Sequence, residues 1–296
     1  MMRIKSFTDP FNGKNGVYMI SMDHLERQLL FRNEQDFIYG VNTIAIGTLK
    51  FRVFVLCYVL MDNHLHLLLR GRYEDCLAYY KWVLHRLALM LKNHHGIRGL
   101  LKGESTDVQA VRDSQGFINE VAYLLRNPYK ARIESPLTYR WCPAEVYFNK
   151  YLDLMKGERF QNSDSAKKLL GTHTPIPPLW EHYQGCILNK CFVDYRTVER
   201  IVGNGLALFD RVRKYDLESA MAQIHGFEEK ITFTDSEIQE KILSVCRNEL
   251  HVESPNQLAR KDLLYLARTL AKRFSCPPKQ IARLLSIDPS ILEAIL

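Results

Sequence analysis

Nine consecutive apolar residues, Val53-Phe54-Val55-Leu56-Cys57-Tyr58-Val59-Leu60-Met61, leave little choice of local structure. They stop at Asp62-Asn63 and give way to the alternating stretch His64-Leu65-His66-Leu67-Leu68-Leu69. β-Branched and aromatic residues without alternation predict a central strand, covered on both faces. The run is well short of the ~20 residues that a membrane-crossing helix requires. Asp-Asn is a turn signal, so the run and the alternating stretch should pair as a β-hairpin.

The flanking sequence supplies the other elements. Val17 to Met22 alternates weakly and predicts a first strand. Asp36 to Ile46 fits a helix, or a helix entering a strand. Glu74 to His95 carries the stripe Leu77, Tyr80, Leu84, Leu87, Leu91 and ends at His94-His95-Gly96, which predicts a helix closed by cations and a glycine. Val108 to Arg112 fits a short strand, and Gln115 to Asn127 a helix stopped by Pro128. The 296 residues suit about two domains. Residues 1–150 form the first, 151–178 a linker or domain edge with Pro175, Pro177 and Pro178, and 179–296 a mostly helical unit. That unit closes on Leu258–Arg273, Lys279–Leu285, a Ser286-Ile287-Asp288 turn and Pro289–Leu296, a helix-turn-helix pattern.

An apolar content of 47% with 25% charged residues excludes general disorder, collagen and a coiled-coil rod. Lys and Arg number 40 against 33 Asp and Glu, and the excess is uneven: residues 1–150 hold 20 basic and 14 acidic side chains, and 151–296 hold 20 and 19. A basic first half points to a polyanionic partner. Seven cysteines without a C-x-x-C pair read as reduced thiols, not as a disulfide frame or a zinc knuckle. With a polar Met1–Gly16 segment and no membrane span, the expectation is a soluble protein of the cytoplasm.

Two patterns carry chemistry. On a strand, the period of two puts His64 and His66 on one face and Leu65, Leu67 and Leu69 on the other, so the two imidazoles can share a divalent cation. On the helix before Pro128, Asn119, Tyr123 and Asn127 follow at i, i+4 and i+8, away from the apolar face of Ile118, Val121, Ala122 and Leu125. A helix-borne phenol beside a metal can perform covalent phosphoryl transfer.

Met61-Asp62-Asn63-His64-Leu65-His66-Leu67-Leu68, then Tyr123 with Asn127-Pro128 and Trp141, resembles the single-tyrosine transposases with a His-hydrophobic-His (HUH) motif, and within them the branch associated with repetitive extragenic palindromes. The resemblance covers residues 15–150. It implies an α+β, ferredoxin-like antiparallel sheet with flanking helices, followed here by the helical C-terminal part. It also implies His64 and His66 as metal ligands, Tyr123 as the nucleophile, Asn127 as the third ligand, and Mg²⁺ or Mn²⁺ as the cofactor. The partner would be single-stranded DNA bearing a hairpin or palindromic repeat, cleaved through a 5′-phosphotyrosine in the bacterial cytoplasm or nucleoid by a monomer or homodimer.

The chain departs from the family at Asp62, where proline is usual, at Asn127-Pro128-Tyr129-Lys130-Ala131, where Asn-Pro-Val-Arg-Ala is usual, and at Cys142-Pro143 after the tryptophan, where serines are usual. Between the motifs, Lys81, Arg86, Lys92, Arg98, Lys102, Arg112, Arg126, Lys130 and Arg132 outnumber four acidic residues, which suits a path for a phosphate backbone, with Tyr79, Tyr80 and Trp82 available to stack bases. His85, His94 and His95 have no evident partner and read as structural. The terminal helix 289–296 has no Lys or Arg, so its helix-turn-helix is either a DNA reader or a packing unit. A DNA-binding regulator without turnover is the competing reading, and a water-activating metal hydrolase, which has no use for Tyr123, is a third.

Overall fold

The computed structural model describes residues 15–22, 29–102, 106–131, 133–135, 137–160, 163–213, 235–274, 276–288 and 291–292. The order is β1 (Gly16–Met22), α1 (Glu34–Thr48), β2 (Val53–Met61), β3 (His64–Gly71), α2 (Tyr73–His95), β4 (Thr106–Val111) and α3 (Ser114–Lys130). The four strands pair antiparallel in the order β2-β3-β1-β4. This is the β-α-β-β-α-β arrangement of a ferredoxin-like sheet. Asp62-Asn63 is the two-residue connection of the β2–β3 hairpin, since Met61 faces His64.

Local chemistry fixes the helix ends. The Asn33 side chain accepts from the Asp36 N–H at 3.1 Å and opens α1, and Asp113 accepts from the Gly116 N–H at 2.7 Å and opens α3. Gly96, left-handed at φ 70°, closes α2. The stretch from Asp36 is helical throughout, which settles the alternative of a helix entering a strand.

Two expectations are corrected. β2 is an edge strand, not a central one. It reads as central because side chains cover its free edge: the Tyr147 hydroxyl donates to the Leu56 carbonyl and the Tyr139 hydroxyl to the Leu60 carbonyl, each at 2.6 Å. The Leu60 N–H donates to Trp141 O at 3.0 Å and the Asp194 N–H to Val55 O at 2.8 Å. An edge satisfied in this way is closed to further strand pairing. The second correction is that α3 runs through Pro128 to Lys130. The Asn127 amide donates to the Tyr123 carbonyl at 2.9 Å in the turn that the proline disturbs, and the Ile133 N–H closes on Pro128 O at 2.9 Å.

The apolar core that begins at Val17 continues past residue 150 through Leu152, Leu170, Trp180, Ile187, Phe192, Val198 and Val212. Residues 151–178 contribute α4 (Ser163–Leu170) and the short β5 (Glu158–Arg159), which pairs with β6 (Glu181–Tyr183), and β6 pairs in turn with β7 (Cys186–Ile187). Asn42 of α1 clasps this sheet, donating to Gly185 O at 2.8 Å and accepting from the Ile187 N–H at 2.9 Å. Beyond it lies α5 (Tyr195–Val202).

A second core, with Ile238, Ile242, Leu266, Leu270, Ile281 and Leu292, joins α6 (Asp235–Asn248), α7 (Arg260–Phe274) and α8 (Pro278–Leu285). Ser286 caps α8 at φ 52°, matching the expected helix and turn. Most of the expected last helix lies outside the described residues. Among the described residues, no helix is long and apolar enough to cross a membrane. None of the seven cysteines is in a disulfide, and burial pushes Cys57 and Cys76 up to about 12, which leaves them inert thiols.

Candidate active site

The histidine hairpin owes its register to its leucines. Leu65, Leu67 and Leu69 are fully buried, each contributing about 1.5–3 kcal/mol by leaving water. A slip of one residue would exchange them for imidazoles, so the face of His64 and His66 is set by apolar burial. Cys76 of α2 lies beside Gly71, on the leucine face, whereas Tyr123 of α3 meets His66. The sheet therefore separates α2 from the histidines.

His64 and His66 are buried, at 3% and 5% exposure, with ring centroids 4.8 Å apart and planes at 85°. The Tyr123 ring stands edge-on to His66 at 5.7 Å and 79°. Tyr123 is half-buried, in contact with the core without being enclosed by it. His64 Nδ1 lies 2.7 Å from Asn63 Oδ1. An amide oxygen only accepts, so Nδ1 donates in this contact, and a neutral ring then leaves its lone pair on Nε2. The row across the sheet is Val59, His66, Ser21, Asp107, from the covered edge to half-buried Ser21 and exposed Asp107.

Asn127 lies one turn from Tyr123 and is buried. Its amide nitrogen is engaged by the Tyr123 carbonyl, which leaves the amide oxygen as the donor atom it could offer a cation.

The basic residues do not form one surface. Lys81, Arg86 and Lys92 ride on α2, across the sheet from the histidines. Arg98 and Lys102 are exposed in the following loop, and Arg112 is exposed just before α3. Arg126 and Lys130 belong to α3 with Tyr123, and Arg132 lies outside the described residues. Tyr79 and Tyr80 are wholly buried, with the Tyr79 hydroxyl donating to Ile44 O at 2.7 Å, so neither can stack on a base. Half-buried Trp82 packs on Phe51 at 6.0 Å, and Trp141 stacks on Phe37 at 4.9 Å.

Two features escape a reading of the sequence. Asp62, at the hairpin turn, accepts from Arg283 of α8 at 3.1 Å, and the same guanidinium binds Asp235 through Nε at 2.6 Å and Nη2 at 2.7 Å. Burial opposes the charge on Arg283, but the hydrogen bonds and negative charges of Asp235 and Asp62 together outweigh it and hold its pKa above the ordinary value. The turn is further held by its backbone, since Asp62 O accepts from the Leu30 and Phe31 N–H groups at 2.6 and 2.9 Å. The second feature is a group formed by Asp36 with His94 and His95, whose donor atoms lie within 4.8 Å of one another.

No family model matches the sequence, and no curated protein matches it. Among solved structures, the chain is similar to a REP-associated tyrosine transposase bound to a REP hairpin, at 15% identity and a TM-score of 0.30, over 44% of this chain and 74% of that one. A likeness so slight assigns neither fold nor activity.

Proposed function

We propose that the chain is a metal-dependent DNA endonuclease and strand transferase with Tyr123 as nucleophile. His64, His66 and Asn127 would hold Mg²⁺ or Mn²⁺, and the substrate would be single-stranded DNA carrying a hairpin. The observation that carries this reading is the edge contact of the Tyr123 ring with His66 at 5.7 Å. It brings a phenol from one helix to a buried imidazole pair that lies far from it in sequence.

The bound cation would polarise the scissile phosphodiester and offset charge developing at phosphorus. The Tyr123 oxygen attacks phosphorus and loses its proton to solvent. The bond from phosphorus to the 3′ oxygen breaks, and that oxygen takes up a proton. The products are a 5′-phosphotyrosine and a free 3′-hydroxyl, and attack by another 3′-hydroxyl on the phosphotyrosine joins strands and restores the phenol. Asn63 holds the His64 ring through Nδ1, and Arg126, on the helix that carries Tyr123, suits a phosphate flanking the break.

Labelled single-stranded hairpin DNA incubated with the protein and Mn²⁺, then resolved on a denaturing gel, tests the reading. A protein–DNA adduct that disappears in Tyr123→Phe is expected. Cleavage without an adduct, surviving that substitution, would establish a water-activating hydrolase instead. Tight binding with neither product would establish a regulator.

A further inference from the structure

We infer that Asp36, His94 and His95 form a second metal site, for a transition-metal ion of the Zn²⁺ class, on the face of the sheet opposite His64 and His66. Asp36 lies in the first turn of α1, and the histidines in the last turn of α2, where Gly96 ends the helix. The carboxylate is wholly buried, and its two oxygens point to different rings: Oδ1 lies 3.2 Å from His94 Nδ1, and Oδ2 lies 2.8 Å from His95 Nε2.

Three donors that share a tetrahedral ion at about 2.0–2.1 Å sit roughly 3.3 Å from one another. The three donor atoms here lie within 4.8 Å of one another, so an ion would have to draw them inward, by rotation of the exposed His94 ring and of the carboxylate. The Arg32 N–H donates to Asp36 Oδ2 at 2.9 Å and anchors that oxygen, as partners of metal ligands commonly do. One carboxylate and two neutral imidazoles favour a borderline metal over Mg²⁺ or Ca²⁺, which prefer all-oxygen shells.

The fourth position faces water. The His94 side chain is 43% exposed and lines a groove of about 390 Å³ together with Gln35, Tyr39 and Lys168. A water molecule would complete the shell there. The ion would brace the start of α1 against the end of α2, independently of the reading of Tyr123.

The test uses full-length protein stripped by a chelator and titrated with Zn²⁺ by calorimetry and with Co²⁺ by its visible absorption. It is run in the His64→Ala/His66→Ala background, so that only the second site can respond. One equivalent of Zn²⁺ is expected, with the absorption of four-coordinate Co²⁺. Asp36→Asn should weaken Zn²⁺ binding by more than the roughly 10–100-fold that loss of an outer partner costs. His94→Gln, at an exposed position that folding tolerates, should weaken it at least tenfold and decides the matter if Asp36→Asn fails to fold. No stoichiometric Zn²⁺ in that background, or unchanged affinity in folded His94→Gln, would overturn the assignment.

Discussion

The molecule holds two histidine pairs, one on a strand and one at a helix end. His64 and His66 converge because a strand repeats every two residues, and the buried leucines between them fix the face. His94 and His95 are adjacent on a helix, where neighbouring side chains diverge by about 100°. They converge only because Asp36 of another helix sits at the end of α2 and offers one oxygen to each. The strand pair is organised by its own segment, and the helix pair by a residue 58 positions away.

Exchanging the roles of the pairs is the strongest way to break this comparison. His64→Ala and His66→Ala should each lower Mn²⁺-dependent DNA cleavage by about 10³-fold, since a cation supplies several kcal/mol of transition-state stabilisation. DNA binding, measured by fluorescence anisotropy, should stay nearly unchanged. His94→Ala and His95→Ala should leave the cleavage rate within about threefold, as structural substitutions far from the reacting phosphate do. Equal losses from both pairs would show that the two are not functionally separate.

What the sequence discloses follows the same division. The hairpin, α2 with its Gly96 stop and the common face of His64 and His66 are local, and period and turn chemistry expose them. Asp36 was hidden because one aspartate in a helix's first turn resembles an ordinary capping residue. Arg283 was hidden because its partners Asp62 and Asp235 lie 221 and 48 residues away. The position of β2 in the sheet is not legible, because a strand buried by tyrosine hydroxyls and a strand buried by neighbouring strands have the same composition. Pro128 reads as a stop because the Asn127 side chain, which bonds within the same turn, is invisible to a rule about backbone alone.

The strand pair does have one long-range tie, and removing it sharpens the contrast. Arg283→Met leaves the Asp62 and Asp235 carboxylates, 11–12% exposed, without their shared cation. Breaking a fully buried pair costs about 3–5 kcal/mol. The guanidinium keeps 16% of its exposure, so a loss of about 2–3 kcal/mol in urea unfolding is expected. Arg283→Met with Asp235→Asn should recover part of it, because one of the stranded charges is gone. A stability unchanged by Arg283→Met would mean that the hairpin turn is held by its backbone bonds to Leu30 and Phe31 alone.

The smallest effect concerns a half-buried carboxylate that, unlike Asp36, meets no basic ring. Glu145 accepts from the Asn189 amide at 2.7 Å, and the Tyr58 hydroxyl donates to the oxygen of the same amide at 2.6 Å. Burial raises the Glu145 pKa to about 6, against the lowering effect of the Asn189 bond. The folded protein thus holds this proton more tightly than the unfolded chain. Stability should fall as pH rises from about 4.5 to 6, with the cost fully present above that window. The shift corresponds to about 1–2 kcal/mol. Glu145→Gln keeps an oxygen for Asn189 and removes the charge, so it should stabilise the protein by about that amount at pH 7.5 and by almost nothing at pH 4. Thermal unfolding of both proteins across this range measures the difference. A gain independent of pH would assign the effect to packing and remove Glu145 as the uncompensated counterpart of Asp36.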